Sequence, residues 1–232
     1  MNKELVVVIP VYNEADIIHV VIEDWCQALR DLSIDFELRL YNDGSKDETL
    51  PVLKGLESQY PELAVIDKAN SGHGPTILMG YNSADSQYVF QVDSDNEMKA
   101  QYFAQIWKLR DQYDFIIGTR KYSYEHPLAR KIVSFIAKLC ISICYGRGIS
   151  DVNVPYRLMS TSKFESIFKD IPEHTFAPNL IVSGMAVRNK LKILQIGVPT
   201  DFRTTGTVSI QKMKLLKVAL KSFKETIAHA FR

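Results

Sequence analysis

The chain has 232 residues, which is enough for one large domain or two small ones with a substantial core. Hydrophobic residues make up 46% and charged residues 24%, a composition that excludes fibrous and disordered proteins. No apolar run approaches the roughly 20 residues needed to span a bilayer. The three cysteines show no metal or disulfide spacing, so we expect buried thiols and a cytoplasmic location.

The net charge of +1 conceals two halves of opposite sign. Residues 1–119 carry 9 Lys and Arg against 20 Asp and Glu, whereas residues 120–232 carry 19 against 7. An acidic half followed by a basic half indicates that the second half faces something anionic. Phosphate, anionic lipid and nucleic acid all fit this pattern. Nucleic acid is disfavoured because the basic residues lie among apolar stripes without interleaved stacking aromatics.

Strands and helices alternate along the first half. The predicted strands are Leu5–Val11, Phe36–Tyr41, Ala64–Asp67, a run from Tyr88 to Val92, and Phe115–Gly118. The predicted helices are Asp16–Leu32, Thr49–Gln59 (with Ser45 and Glu48 as a capping box), Thr76–Ala84 and Ala100–Gln112. This order predicts an α/β fold with a doubly wound, mainly parallel sheet.

Four of the predicted strands end in polar turns. These turns are Tyr12–Glu14, Asn42–Ser45, Asp93–Glu97 and Gly118–Arg120. Ligands of open α/β sheets bind at the carboxyl ends of the strands, so the turns predict a nucleotide-type crevice. The first turn has no glycines, which argues against a dinucleotide-binding dehydrogenase.

Three acidic residues follow the fourth strand with a spacing of two. In extended chain Asp93, Asp95 and Glu97 lie on one side, so their carboxylates could converge. Such a group would need a cation, and hard oxygen ligands suit Mg²⁺ or Mn²⁺. The alternative is an acidic surface turn without a ligand.

The second half contains a long helix and a basic tail. We predict a helix over Pro127–Tyr145, strands at Val152–Met159 and Ile193–Phe202, and a helix over Ala177–Asn189. The tail from Gln211 has an apolar stripe opposite several lysines, as in helices that lie in a membrane interface. Packing of this helix on the core is an equally good interpretation. We therefore expect one domain over 1–209 and a C-terminal helix over 210–232.

Several motifs, in this order, resemble a known family. They are the strand Val8–Glu14, the turn Tyr41–Ser45, the glycine loop Asn70–Gly74, and Asp93-Ser94-Asp95. The chain is similar to inverting family 2 glycosyltransferases of GT-A fold, and especially to dolichol-phosphate mannose synthases and bacterial undecaprenyl-phosphate glycosyltransferases. The resemblance implies a nucleotide-sugar site formed by Pro10, Tyr12, Glu14, Tyr41, Asp43, Asp93, Ser94, Asp95, Arg120 and Arg203. It implies a metal, Mg²⁺ or Mn²⁺, on Asp93, Asp95 and Glu97.

The resemblance also gives the basic half a role. Gly118-Thr119-Arg120 is similar to a motif whose arginine lies near the phosphates, and Arg203–Gly206 is similar to a loop that closes over the site. Arg130 and Ser134 match a helix that holds a lipid phosphate. The resemblance thus implies Asp95, Arg203, Arg130, Ser134 and Arg120 as the catalytic group. The chain departs from the family at Asn42, where an acid is usual, and at Val154–Arg157, which lacks a glycine.

The implied activity is transfer of a sugar from a UDP- or GDP-sugar donor to a polyprenyl phosphate. The implied location is the inner face of the membrane, with a membrane-embedded subunit as a further partner. Transfer to a saccharide hydroxyl is the first alternative, and it would require a base such as Glu173 or His174. The second alternative is a non-catalytic subunit that binds the nucleotide sugar.

Overall fold

The computed structural model describes residues 3–122, 128–201 and 212–231, and gives the backbone alone for residues 122, 128–134 and 212–219. The strands are β1 (Leu5–Val11), β2 (Phe36–Asp43), β3 (Leu63–Lys68), β4 (Tyr88–Gln91), β5 (Phe115–Tyr122), β6 (Arg157–Ser160) and β7 (Ile193–Thr200). The helices are α1 (Ile18–Asp31), α2 (Thr49–Glu57), α3 (His73–Ser83), α4 (Phe103–Trp107), α5 (Leu128–Cys144), α6 (Thr161–Asp170), α7 (Pro178–Arg188) and α8 (Lys212–Ala230).

The strands form one sheet in the order β3-β2-β1-β4-β6-β5-β7. All neighbouring strands are parallel except β6, which is antiparallel to both β4 and β5. The register pairs Leu5 of β1 with Phe36 of β2 and with Tyr88 of β4. The predicted α/β fold with a mainly parallel sheet is confirmed, and the parallel register brings the ends of these three strands to one edge.

An apolar core lies on both faces of the sheet. Every residue of β1 is buried, as expected for a continuous β-branched run in a parallel sheet. Next to it, four aromatic rings form a cluster in which the Phe90 centroid lies 5.2 Å from Trp25, 4.7 Å from Phe103 and 4.8 Å from Tyr156. Edge and tilted contacts of this kind add to the free energy gained by burial.

Two predicted features of the helices are wrong. Ser45 does not cap α2 with Glu48, since no side-chain cap bond forms at that helix. Asp47 instead accepts the Thr49 N–H at 3.1 Å. The predicted helix 100–112 is a short α4 between two 3-10 turns. Trp107 is the last buried residue of α4, and none of the residues in the 3-10 turn Arg110–Gln112 is buried.

The second half also differs in detail from the prediction. The predicted strand Val152–Met159 is reduced to β6, and α6 was not predicted, although Phe164, Ile167 and Phe168 show helical spacing and are buried. No helix in the described ranges is both long and apolar enough to cross a membrane.

The described end of α8 packs on the core. Tyr145 follows directly after α5, and its hydroxyl donates to the Thr226 carbonyl at 3.0 Å and lies 3.1 Å from His229 Nδ1. Arg188 Nη2 of α7 donates to the Ala230 carbonyl at 2.8 Å. Packing therefore accounts for this end of the helix, while the division at residue 209 stays a prediction.

Gly80 of α3 provides a test of the packing against β1. A Cβ at Gly80 would lie 2.2 Å from Val8 Cγ1, a stiff side chain in the buried central strand. We expect Gly80→Ala to destabilise the protein by about 1–3 kcal/mol through overpacking. Gly55→Ala in α2 is the matched control, because a Cβ there meets nothing within 4 Å. The control should stabilise by about 0.5–1 kcal/mol. Denaturant unfolding measures both, and equal shifts of the two variants would contradict the close packing.

Candidate active site

A cleft of about 360 Å³ opens at the edge of the sheet where β1, β2 and β4 end. It is lined by Pro10, Val11, Tyr12, Glu14, Asp43, Asn70, Gly72, His73, Asp93, Ser94 and Asp95. Seven of the residues predicted to bind the nucleotide sugar are therefore in one place: Pro10, Tyr12, Glu14, Asp43, Asp93, Ser94 and Asp95. This edge carries the carboxyl ends of the parallel strands, where ligands of such sheets bind.

The turn after β1 is held by the turn after β2. The Asn13 N–H donates to Ser45 Oγ at 3.0 Å, and the Glu14 N–H donates to Thr49 Oγ1 at 2.9 Å. Asn13 has φ of 54°, a left-handed conformation that Asn tolerates better than most residues. These bonds fix the backbone of the turn, so Tyr12 and Glu14 keep their places in the cleft wall.

The Asp43 carboxylate at the end of β2 is buried and holds the glycine loop. It pairs with Lys68 and accepts the N–H groups of Ser71 at 2.8 Å and Gly72 at 2.9 Å. Burial alone would raise the pKa of Asp43, but the hydrogen bonds from Lys68 and from the two amides outweigh it and lower the pKa. Gly72 has φ of 94°, which favours glycine and lets α3 begin directly after it. Asp43 therefore stays ionised and shapes the cleft.

The side chains of Tyr41 and Asn42, which precede Asp43, form hydrogen bonds with other residues of the protein. Tyr41 is buried, its hydroxyl lies 2.6 Å from Oγ of the exposed Ser83, and Tyr41 does not line the cleft. Asn42 is buried, and its Nδ2 donates to Asp67 Oδ1 at 2.7 Å. The acid that the family has at position 42 is thus absent, and a carboxylate from β3 lies beside that position instead.

The three acids after β4 do not continue an extended chain. The strand ends at Gln91, Asp95 Oδ1 accepts the Glu97 N–H at 3.1 Å, and Asn96 has φ of 56°. The chain therefore turns, and the alternation expected of a strand does not hold here. Asp93 and Asp95 line the main cleft, and together with Glu97 they line a smaller adjoining cleft of about 50 Å³.

The chemistry of these acids fits a hard divalent cation. Carboxylate oxygens are the preferred ligands of Mg²⁺ and Mn²⁺ in proteins. Within the described residues no three His, Cys, Asp or Glu side chains lie close enough together to hold a metal ion by themselves. Mg²⁺ is commonly held by only one or two carboxylates together with substrate phosphates, and Asp93 and Asp95 in one cleft wall can serve in this way.

Arg120 brings positive charge to the smaller cleft. It lines that cleft with Asp95 and Glu97, and one guanidinium nitrogen lies 3.8 Å from Asp151 Oδ2. Residue 120 comes from the part of β5 beyond its predicted end at Gly118. The acidic and basic halves of the chain thus meet here.

Three predicted site residues cannot be placed. Arg203 lies outside the described residues, and Arg130 and Ser134 lie in the part of α5 whose side chains are not described. Glu173 and His174, the alternative bases, are exposed and line neither of the two clefts.

Sequence reasoning missed a group of buried polar residues behind the cleft: Tyr81, Gln91, Arg157, Asn179 and Ser183. Arg157 is fully buried, and its guanidinium donates to the carbonyls of Val154 at 2.7 and 2.9 Å and of Asn179 at 3.2 Å. Burial lowers its pKa from the ordinary value. The available signal was Gln91, a long amide in an otherwise apolar strand that leads directly to the acids.

A larger cavity of about 580 Å³ lies near the opposite end of β4, where Ser86, Tyr88 and Thr161 are among its lining residues. It contains none of the predicted site residues. We assign the candidate site to the main cleft, because Asp93, Asp95 and the carboxyl ends of β1 and β2 lie there.

Known proteins similar to this chain include lipid-linked sugar transferases. It is 27% identical over 219 residues to an undecaprenyl-phosphate 4-deoxy-4-formamido-L-arabinose transferase of Photorhabdus laumondii, covering 93% of this chain and 66% of the relative. It is 27% identical over 210 residues to a dolichyl-phosphate beta-glucosyltransferase of Trichomonas vaginalis, covering 82% of this chain and 64% of that relative. The chain spans about two thirds of the length of the relatives it matches.

The fold is shared with solved glycosyltransferase structures. Glucosyl-3-phosphoglycerate synthase of Mycobacterium tuberculosis, in complex with Mn²⁺, UDP-glucose and phosphoglyceric acid, superposes with a TM-score of 0.72 at 13% identity. That match covers 99% of this chain and 80% of the synthase. The profile described as Glycosyl transferase family 2 matches residues 6–173, and the chain therefore belongs to glycosyl transferase family 2.

Proposed function

We propose that the chain transfers a sugar from a nucleotide-diphosphate donor to the phosphate of a polyprenyl phosphate, with inversion at the anomeric carbon. One observation carries this proposal: Asp93, Asp95 and Arg120 line two adjoining clefts. Neither cleft is lined by Glu173 or His174, the two candidate bases. The names of the relatives support the same acceptor class.

The donor occupies the main cleft in this proposal. The nucleoside lies along Pro10, Tyr12 and the loop held by Asp43, and its diphosphate extends toward Asp93 and Asp95. A divalent cation held by Asp93 and Asp95 together with the diphosphate would neutralise the charge that accumulates on the departing group. The buried Asp43–Lys68 pair keeps the glycine loop in place while the nucleotide binds.

With a phosphate acceptor, the reaction needs no catalytic base. A phosphate monoester is already an anion, and one of its oxygens can attack the anomeric carbon directly as the bond to the diphosphate breaks. What the site must supply is positive charge beside a second anion. Arg120 lines the smaller cleft, and we assign this role to it together with Arg130, Ser134 and Arg203.

The exposed face of α5 supports a location at an anionic membrane surface. Phe135 is 66% exposed and Ile143 is 74% exposed, with Ile136 and Leu139 between them. Lys138 of this α5 face and Arg147 just beyond the helix line a shallow groove together with Phe135 and Ile143. Apolar side chains flanked by cations suit a bilayer with anionic headgroups. A membrane-embedded partner subunit is the alternative occupant.

Asp95→Asn tests the role of the acids. We expect turnover to fall about 100-fold or more, since one carboxylate beside the developing phosphate charge is lost. The assay uses Mn²⁺, labelled UDP- and GDP-sugars and undecaprenyl phosphate, and EDTA should abolish product. Asp31→Asn is the control, because Asp31 is exposed and, among the side-chain hydrogen bonds of the described residues, its carboxylate accepts only from Gln27. Full activity of Asp95→Asn, or of the wild type in EDTA, would refute the proposed mechanism.

Glu173→Gln and His174→Asn separate the two acceptor classes. With a phosphate acceptor we expect both variants to keep wild-type turnover, because an anionic nucleophile needs no base. If labelled sugar instead enters a saccharide, and one variant loses turnover while donor binding by calorimetry is kept, the hydroxyl-acceptor alternative is correct. Donor binding without turnover on any acceptor, restored by source membranes, would identify a non-catalytic subunit.

Leu139→Ser with Ile143→Ser tests the α5 face. We expect sedimentation with phosphatidylglycerol vesicles to weaken about tenfold or more, because two exposed apolar side chains no longer enter the interface. Met79→Ser is the control, as Met79 is an exposed apolar residue on α3. Equal sedimentation of both variants would show that α5 does not contact the lipid.

A further inference from the structure

A chain of buried hydrogen bonds leads from the interior to Asp93. Gln91 Nε2 donates to Asp93 Oδ1 at 2.9 Å, and Asn179 Nδ2 donates to Gln91 Oε1 at 3.1 Å. The Tyr81 hydroxyl then donates to Asn179 Oδ1 at 2.8 Å. The three residues behind Asp93 come from α3, β4 and α7, so three separate elements converge on one carboxylate.

The direction of these bonds follows from chemistry. An ionised carboxylate only accepts, so the amide of Gln91 must turn its NH₂ toward Asp93 and its oxygen away. That oxygen requires a donor, which Asn179 supplies, and the Asn179 oxygen requires another, which Tyr81 supplies. Reversing either amide would place two acceptors against each other. The chain therefore has one arrangement while Asp93 is charged.

Burial makes this arrangement costly to break. Gln91 is 0%, Tyr81 1% and Asn179 4% exposed, so a lost partner is not replaced by water. The main-chain carbonyl of Asn179 also accepts from Arg157 at 3.2 Å, which ties the start of α7 to the fully buried guanidinium. The positive charge of Arg157 lies close enough to interact with Asp93.

We propose that Gln91, Asn179 and Tyr81 are positioning residues that hold Asp93 in one orientation for the donor diphosphate and its cation. The bond from Gln91 engages Oδ1, so Oδ2 is the oxygen that this chain leaves for a ligand of the cleft. Mutation of a residue that orients a metal ligand in this way typically lowers metal affinity or activity about 10–100-fold. This inference rests on the proposed function.

The same proposal gives the segment 174–179 a role. Asn179, at the end of this segment, turns inward and donates to Gln91, the residue that supports Asp93. Gly74 allows the start of α3 to lie close to this segment, because a Cβ at Gly74 would lie 2.1 Å from the Phe176 carbonyl oxygen. The loop and α3 are therefore in direct backbone contact.

The test compares two tyrosines that each lose one buried hydroxyl. Tyr81→Phe removes the end of the chain, whereas Tyr145→Phe removes a hydroxyl that bonds to Thr226 and His229 in the packing of α8. Gln91→Met, of similar shape, removes the bond to Asp93 itself. For each variant, thermal-shift titrations of Mn²⁺ in the presence of UDP, and separately of GDP, give the half-saturating Mn²⁺ concentration without turnover.

We expect Gln91→Met to raise the half-saturating Mn²⁺ concentration about 10-fold or more and Tyr81→Phe to raise it several-fold. Tyr145→Phe should leave it unchanged while lowering the melting temperature about as much as Tyr81→Phe does. A purely structural role predicts equal melting shifts and no change in Mn²⁺ requirement, and that result would overturn the inference. If Gln91→Met fails to fold, the half-saturating Mn²⁺ concentration of Tyr81→Phe alone tests the inference. Absence of wild-type turnover with every donor and acceptor would instead reject the proposed function.

Discussion

The parallel pairing of β1 with β2 and β4 is the constraint on which the site depends. The register brings the turns after these strands to one edge of the sheet, and each turn begins where the buried apolar run ends. Polar side chains that are far apart in sequence, such as Glu14, Asp43 and Asp93, therefore line one cleft. The apolar strands position the site because their burial leaves only one register for the pairing.

Electrostatics organises the rest of the cleft. Asp43 is compensated within the protein by Lys68 and two amides, so it costs little to keep ionised although it is buried. Asp93 and Asp95 are at the cleft surface and belong to the part of the site that a diphosphate and a cation would complete. Arg120 stands at the border between the acidic and the basic half, where a second phosphate would have to approach.

The family match ends at residue 173, yet the fold of the site continues past it. Asn179 of α7 reaches back to Gln91, and Glu225 of α8 accepts the Phe176 N–H at 2.8 Å. The first bond links the end of β4 to α7, and the second links the segment before α7 to α8.

The local pattern of apolar and polar residues predicted much of the fold and of the cleft. The β1 strand, the alternation of strands and helices, the cleft at the strand ends and most of the residues that line it follow from apolar periodicity and from where it stops. Other features depended on contacts between distant segments. The antiparallel β6, the turn at Asn96 that ends the alternation of the acids, and the inward orientation of Asn179 are examples. The sequence around each of these residues permits several conformations. Only burial against other elements, with every polar group in need of a partner, selects one of them.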